Sequence, residues 1–304
     1  MCFEISIQNC LMAEIEPQAN DPVVLVDEVA GWLRVTANNL INRGDKNGWF
    51  ARSYEYVTTE ISTGLAQGRY LRPDDVAGEV CYFAAAYRRN LDSWLCGNQE
   101  GVEPNWRVAF HAIDNPDQYR HSQMHLLSRI DIPKSLMPSI CLLECLWSVM
   151  ICAESHIRFD LVRALTSVLL TAPEDEADHL NSDFGETGVV FTHISRKLLE
   201  DMAKFCGESP SPSPLLDHLA VWLAPLLSRR FIGWQREVSW GLSAALSRAI
   251  REGRCSTDDE CAKILSSALM RRPRWNVIGP RYFTVADRSI PTNAYHWIRQ
   301  PIWS

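Results

Sequence analysis

Two short motifs in the middle of the chain combine residue types that carry out acid-base chemistry. Residues 156–160 (HIRFD) and 179–183 (HLNSD) share the pattern His-x-x-x-Asp. Residues four apart lie on the same face of a helix, so each motif pairs an imidazole with a carboxylate. An imidazole titrates near neutral pH, and a neighbouring carboxylate fixes its orientation. The candidate catalytic residues are therefore His156, Asp160, His179 and Asp183.

The same four side chains form a candidate metal site, because imidazole and carboxylate groups bind zinc, iron or manganese. Thr171 and Glu174 have the spacing of a capping box, which predicts a helix start between the motifs. If the two helices are antiparallel, both motifs can face a common point. In the alternative interpretation, each pair only stabilises its own helix through a hydrogen bond. We expect no cofactor, with a divalent zinc, iron or manganese ion as the alternative.

Candidate substrate-binding residues are arginines and tryptophans near these motifs or on one helix face. Arg158 lies inside the first motif, where a guanidinium can bind an anionic substrate. Arg236 and Trp240 have helical i, i+4 spacing. The 11 tryptophans, Trp106 among them, are numerous enough to line an apolar pocket, although filling the core is the simpler interpretation.

The elements that must position these residues are predicted to be helices throughout. Apolar residues recur at spacings of three and four, and prolines and glycines separate the segments. Gly185 and Gly188 fall inside one predicted helix, which indicates a kink or a close approach by another group. The predicted helices cover residues 21–42, 49–65, 74–95, 106–112, 117–128, 139–170, 174–205, 215–251 and 257–271.

The predicted fold class is all-α, a single bundle-like domain of several helices over residues 1–304. The helical body covers about residues 21–271. Residues 272–304 contain four prolines and six aromatic residues, which is too aromatic for a solvated tail. We expect this segment to form an irregular strap over the helical body.

The composition of the chain and the absence of several motifs disfavour some classes of partner and chemistry. A net charge of −7 disfavours nucleic acid and anionic membranes, and no apolar run reaches the roughly 18 residues of a membrane span. The N-terminus does not resemble a signal peptide, so we expect a soluble, cytoplasmic protein with reduced cysteines. Cys-x-x-Cys is absent, which disfavours a thiolate zinc site. The glycine motifs of nucleotide-binding proteins and α/β-hydrolases are absent as well.

Four stretches of the chain are similar to a known family. They are YEYVTT at 54–59, FA at 83–84 with Tyr87 and Trp94, PNWRVAF at 104–110, and SHIRFDL at 155–161 with HLNSDF at 179–184. Over roughly residues 50 to 250, the chain resembles an all-helical family described as a domain of unknown function, DUF5995.

The resemblance implies a helical fold and a role in the site for His156, Asp160, Asp183 and His179, but no defined reaction. Arg158 stands where that family usually has asparagine, and Phe184 stands where it often has tyrosine. A weaker, fold-level analogy links the two motifs to zinc-dependent phospholipase C and the single-strand nucleases related to it, which are helical and use two such pairs among their ligands.

These observations favour an enzyme of small-molecule, specialised (secondary) metabolism. We expect it to act on a largely apolar substrate by His/Asp acid-base chemistry, such as cyclisation, isomerisation or hydrolysis. Two alternatives stay open, a metal-dependent phosphoester hydrolase and a non-catalytic binding or scaffold protein. The expected partner is a small-molecule substrate.

Overall fold

The computed structural model describes residues 21–116, 140–173, 176–207 and 232–254, and every regular element in these ranges is a helix. The all-α prediction is confirmed. The predicted helices at 117–128 and 257–271, the first part of the helix at 215–251 and the strap at 272–304 lie outside the described residues. The α-helices are α1 (Pro22–Asn42), α2 (Gly48–Ala66), α3 (Pro73–Leu95), α4 (Pro104–Asp114), α5 (Ile140–Ser155), α6 (Leu161–Thr171), α7 (Ala177–Phe205) and α8 (Trp234–Arg251).

Helices α1 to α3 follow from local signals in the sequence. Asp21 caps α1, because its carboxylate accepts a hydrogen bond from the N–H of Val23 at 2.9 Å. Prolines occupy the first turns of α1, α3 and α4. A proline lacks the backbone N–H, and in the first turn this group would have no partner within the helix. Helix α2 is buried along most of its length and packs against α1, α5 and α7. It therefore lies at the centre of the described core.

The predicted helix at 139–170 is present, with one interruption. Between α5 and α6 the residues His156–Asp160 form a single π-helical turn, in which the N–H of Leu161 donates to the carbonyl of His156 five residues earlier. Such turns widen a helix locally and are frequent at functional sites. The first His-x-x-x-Asp motif is this turn.

Helix α7 is continuous through both interior glycines. A Cβ added at Gly188 would lie 3.6 Å from Nε of Arg236, whereas one added at Gly185 would meet nothing within 4 Å. Because 3.6 Å is an ordinary van der Waals contact, neither glycine is required by the predicted close approach of another group. The capping prediction for Thr171 is wrong: it is the last residue of α6, and its hydroxyl lies within hydrogen-bonding distance of the carbonyls of Ser167 and Val168.

Helix α8 packs against α6 and the π-helical turn, which brings Arg236 to the junction of α7 and α8. In the described ranges, none of the helices combines the length and apolar character that crossing a membrane requires.

Candidate functional site

An apolar cavity of about 60 Å³ lies between α2, α3, α5, the π-helical turn, α7 and the start of α8. Most of its wall consists of aliphatic and aromatic side chains. Convergent polar groups in an apolar cavity are typical of small-molecule sites. The polar side chains in the wall belong to Ser53, Glu79, His156, Thr187, Ser195 and Arg236.

His156 and Asp160 form a buried pair at this wall. Nδ1 of His156 lies 2.7 Å from Oδ2 of Asp160, and their side chains are 2% and 0% exposed. A carboxylate at this distance accepts the Nδ1 proton, which leaves a lone pair on Nε2. Among the described residues, Nε2 has no hydrogen-bond partner. It is therefore the ring nitrogen available to a molecule in the cavity.

Trp106 bonds to the same carboxylate oxygen as His156. Its indole Nε1–H donates to Oδ2 of Asp160 at 3.0 Å, and its ring lies close to the imidazole of His156. The ring of Phe83 stacks on the imidazole, and Phe50 and Tyr54 meet it edge to face. The imidazole is thus fixed by one hydrogen bond and by rings on several sides, as a positioned acid or base requires.

Neighbouring helices hold the π-helical turn through side-chain hydrogen bonds. The hydroxyl of Ser239 on α8 lies 2.8 Å from the carbonyl of Ile157. The hydroxyl of Ser155, directly before the turn, donates to the carbonyl of Asn105 on α4 at 3.1 Å. Because a π-helical turn disturbs the regular i to i−4 bonding of a helix, the hydroxyl of Ser239 gives the carbonyl of Ile157 a partner from outside the turn.

Burial changes the protonation of His156. Loss of hydration lowers the pKa of the imidazole, and the hydrogen bond and charge of Asp160 offset only part of this effect. The ring is therefore neutral at pH 7, with Nε2 unprotonated. A neutral imidazole with a free nitrogen is the form that accepts a proton.

Two ionisable groups lie on the same cavity wall, Glu79 from α3 and Arg236 from α8. Burial raises the pKa of Glu79, and the positive charge of Arg236 offsets part of the rise. Burial lowers the pKa of Arg236 to about 10, against the opposing effect of Glu79. Arg236 also donates to the carbonyl of Phe184 at 2.7 Å and to the hydroxyl of Thr187. The cavity therefore offers a carboxyl group and a fixed guanidinium as well as the imidazole.

The second His-x-x-x-Asp motif does not join the first. His179 is exposed on α7. Asp183 is buried, and its two oxygens accept from the backbone N–H groups of Leu71 and Arg72, at 2.9 and 2.7 Å. It therefore fixes the start of α3 and is not a partner of His179.

The structure does not assemble the predicted four-residue metal site. In the ranges that the structure describes, one set of three or more His, Cys, Asp or Glu ligand atoms lies within 4.8 Å of one another, and it consists of cysteines. The donor atoms of His156, Asp160, His179 and Asp183 form no such set. The two motifs do not face a common point, because Asp183 faces the α2–α3 connection and the exposed His179 lies outside the cavity wall.

The predicted substrate-binding residues divide into two groups. Arg236 lines the cavity. Trp106 does not line it but donates a hydrogen bond to Asp160, the partner of His156. Arg158 is buried and forms an ion pair with Glu154 at 2.7 Å on its own helix, away from the cavity wall. Trp240 also lies outside that wall and stacks on Phe184, with ring centroids 5.3 Å apart. It lines a separate pocket between α6, α7 and α8 and does not contact a molecule in this cavity.

Glu79 is a site residue that the sequence reasoning missed. It falls between Val76 and Phe83 at spacings of three and four, so it sits within the apolar stripe of α3. A carboxylate on the buried face of an amphipathic helix is costly unless it is paired or has a function. That position in the stripe was the available signal.

Comparison with known proteins gives one match. Residues 26–127 match the model of a family of unknown function, DUF5995. No curated protein and no solved structure matches the chain. The match includes Glu79, Phe83 and Trp106 but ends before His156. The resemblance to DUF5995 is therefore confirmed over residues 26–127.

Proposed function

We propose that the protein is an enzyme that binds a small, largely apolar molecule in the cavity and transfers a proton through Nε2 of His156. The observation that carries the proposal is the free Nε2 of a buried, neutral imidazole whose other nitrogen is held by Asp160. Most buried polar side-chain atoms in folded proteins are hydrogen-bonded, so an unpaired Nε2 on the wall of a cavity favours a partner among the molecules that enter it.

In this proposal His156 acts as a general base and Asp160 as its positioning residue. Asp160 keeps the proton on Nδ1, so that the lone pair of Nε2 faces the substrate. When Nε2 takes up a proton, the carboxylate 2.7 Å away stabilises the imidazolium. General acid-base catalysis of this kind contributes a factor of about 10² to 10⁴ in rate.

Glu79 is the proposed partner acid. Its raised pKa favours the protonated carboxyl, which can return a proton to the substrate after His156 has removed one. Arg236 favours negative charge that develops on the substrate, because its guanidinium is held in place by Phe184 and Thr187. A base, an acid and a fixed cation around the cavity suit isomerisation or cyclisation better than hydrolysis, because the mostly apolar wall offers a reacting water few hydrogen-bond partners.

Two other functions have less support. A phosphoester hydrolase that uses both His-x-x-x-Asp pairs as metal ligands would need their donor atoms at one point, and they are not assembled there. A non-catalytic binding protein would use the same cavity but has no need for a free Nε2. We retain specialised metabolism in the cytoplasm as part of the proposal, with a small molecule as the partner and no cofactor.

The proposal is tested by comparing small-molecule extracts of the producing organism after incubation with pure protein in D₂O. Wild-type protein should deplete one compound and form a product that carries deuterium on carbon, and His156→Gln and Asp160→Ala should not. His193→Gln, which changes an exposed histidine of α7, is the matched control and should retain turnover. Equal turnover in His156→Gln and wild type would overturn the proposal. A compound that binds unchanged would indicate a binding protein.

A further inference from the structure

Three cysteine thiols lie together at a place remote in sequence from the cavity motif. Cys141 and Cys145 occupy successive turns of α5, and Cys206 directly follows the last residue of α7. Their sulfur atoms lie within 4.8 Å of one another. Cys145 is buried and the other two are half-buried. None of the three lines the apolar cavity.

The spacing of the sulfur atoms suits a metal ion. A bond of about 2.3 Å from a metal to each thiolate puts two coordinated sulfurs roughly 3.8 to 4.0 Å apart. Three sulfurs already within 4.8 Å of one another need only small side-chain adjustments to reach that geometry. The site is formed by α5 and α7, which pack against each other, so it is built by the fold and not by one flexible loop.

A half-buried cation, Lys46, stands beside the thiols. Burial opposes the ammonium form of Lys46, but the ion pair with Glu144 on α5 and the charges of Cys145 and Cys141 outweigh this effect and raise its pKa. Burial and the two neighbouring thiols raise the pKa of Cys145, so the cluster without a cation keeps that proton. A bound cation reverses this balance because a coordinated thiol is deprotonated. The positive charge of Lys46, which Glu144 partly balances, lowers the cost of gathering several thiolates.

We infer that Cys141, Cys145 and Cys206 bind a thiophilic d¹⁰ metal ion, Cu⁺ or Zn²⁺, as three thiolates. Soft sulfur ligands favour these two ions over magnesium, calcium or manganese. Three thiolates complete a trigonal shell for Cu⁺, whereas Zn²⁺ keeps a fourth position for water. The reaction releases three protons and transfers no electrons, because three thiols and one ion give one trithiolate complex.

The site is independent of the proposed proton-transfer activity. It joins the beginning of α5 to the end of α7, two helices that also form part of the cavity wall. Its expected effect is on stability, because an ion that binds only the native chain raises the melting temperature.

The test is an anaerobic titration of the full chain with Cd²⁺, Zn²⁺ or Cu⁺ in the presence of a competing chelator. We expect one ion per chain, an ultraviolet sulfur-to-metal band with Cd²⁺, about three protons released per ion and a higher melting temperature. Cys141→Ser and Cys206→Ser should each abolish stoichiometric uptake. Cys96→Ser, which removes an exposed cysteine outside the cluster, should leave it intact.

A second measurement uses only the wild-type chain, in case a variant folds poorly. After metal loading, Cys141 and Cys206 should be protected from iodoacetamide, while Cys96 is alkylated. X-ray absorption then distinguishes the two ions, with three sulfur neighbours for Cu⁺ and three sulfurs plus one light atom for Zn²⁺. No uptake by the wild type, equal loss in Cys96→Ser, or no protection of Cys141 would each overturn the inference.

Discussion

Glu79 and His156 line one apolar cavity from different helical segments, α3 and the π-helical turn. Burial favours the neutral form of each, the protonated carboxyl of Glu79 and the unprotonated ring of His156. Glu79 therefore lowers stability as the pH rises and His156 lowers it as the pH falls, and each effect can be measured without knowing the substrate.

Glu79→Gln should stabilise the protein at neutral pH. The pKa of Glu79 is raised above its ordinary value of 4.5, so ionisation of this carboxyl costs more free energy in the folded chain than in the unfolded chain. This penalty is present at pH 7 and disappears as the pH falls to about 4.5. Urea unfolding at pH 7.5, 6 and 4.5 should show that the difference in free energy of unfolding between the variant and the wild type becomes smaller as the pH falls. A constant difference would contradict the assignment.

His156 should make the wild type less stable as the pH falls below 6.5. Its pKa is lowered from that value, so the unfolded chain binds a proton that the native chain excludes. Stability is then lost as the pH decreases from 6.5 towards the folded pKa. His156→Asn should remove this component of the pH dependence, even if the variant is less stable at every pH. His193→Asn serves as the control for the loss of an exposed histidine.

Asp183→Ala should lower the free energy of unfolding by about 1 to 3 kcal/mol. The substitution leaves the N–H groups of Leu71 and Arg72 without their acceptor at the start of α3. His179→Ala, on the same helix but exposed, should change stability by less than about 0.5 kcal/mol. Chemical denaturation of both variants checks the contrast. Similar losses in the two would indicate that the motif acts as one unit.

Gly185→Ala should stabilise the protein by up to about 1 kcal/mol, because it replaces an interior glycine of α7 with open space around the new methyl group. Gly188→Ala puts its methyl group in ordinary contact with Arg236 and should give a similar gain. Thermal unfolding measures both. A loss in Gly188→Ala alone would indicate that Arg236 is displaced.

The helices could be predicted from the sequence because the signals that define them are local. Asp21, Pro22 and the apolar spacing of α1 determine where that helix starts and which face it buries. The pairing of His156 with Asp160 is also local, since it lies within one turn. These features depend on neighbours that the sequence itself places together.

The remainder depends on contacts between distant segments. Asp183 has the same motif as Asp160, but its partners are the N–H groups of Leu71 and Arg72, which no spacing rule identifies. The grouping of Cys206 with Cys141 likewise requires α5 and α7 to pack. The change from α-helical to π-helical bonding at His156 has no sequence signal that we recognise.

The π-helical turn amounts to a surplus residue accommodated within one long helix. Deleting a single residue from 157–159 would restore regular α-helical register. The helices on either side would keep the faces that they bury, because the turn already absorbs the extra residue, but His156 and Asp160 would then lie three residues apart and not four. Such a chain could keep its helices and most of its core while His156 and Asp160 lost their shared orientation. The proposed chemistry is thus tied to a register defect, which evolution could create or erase by one codon.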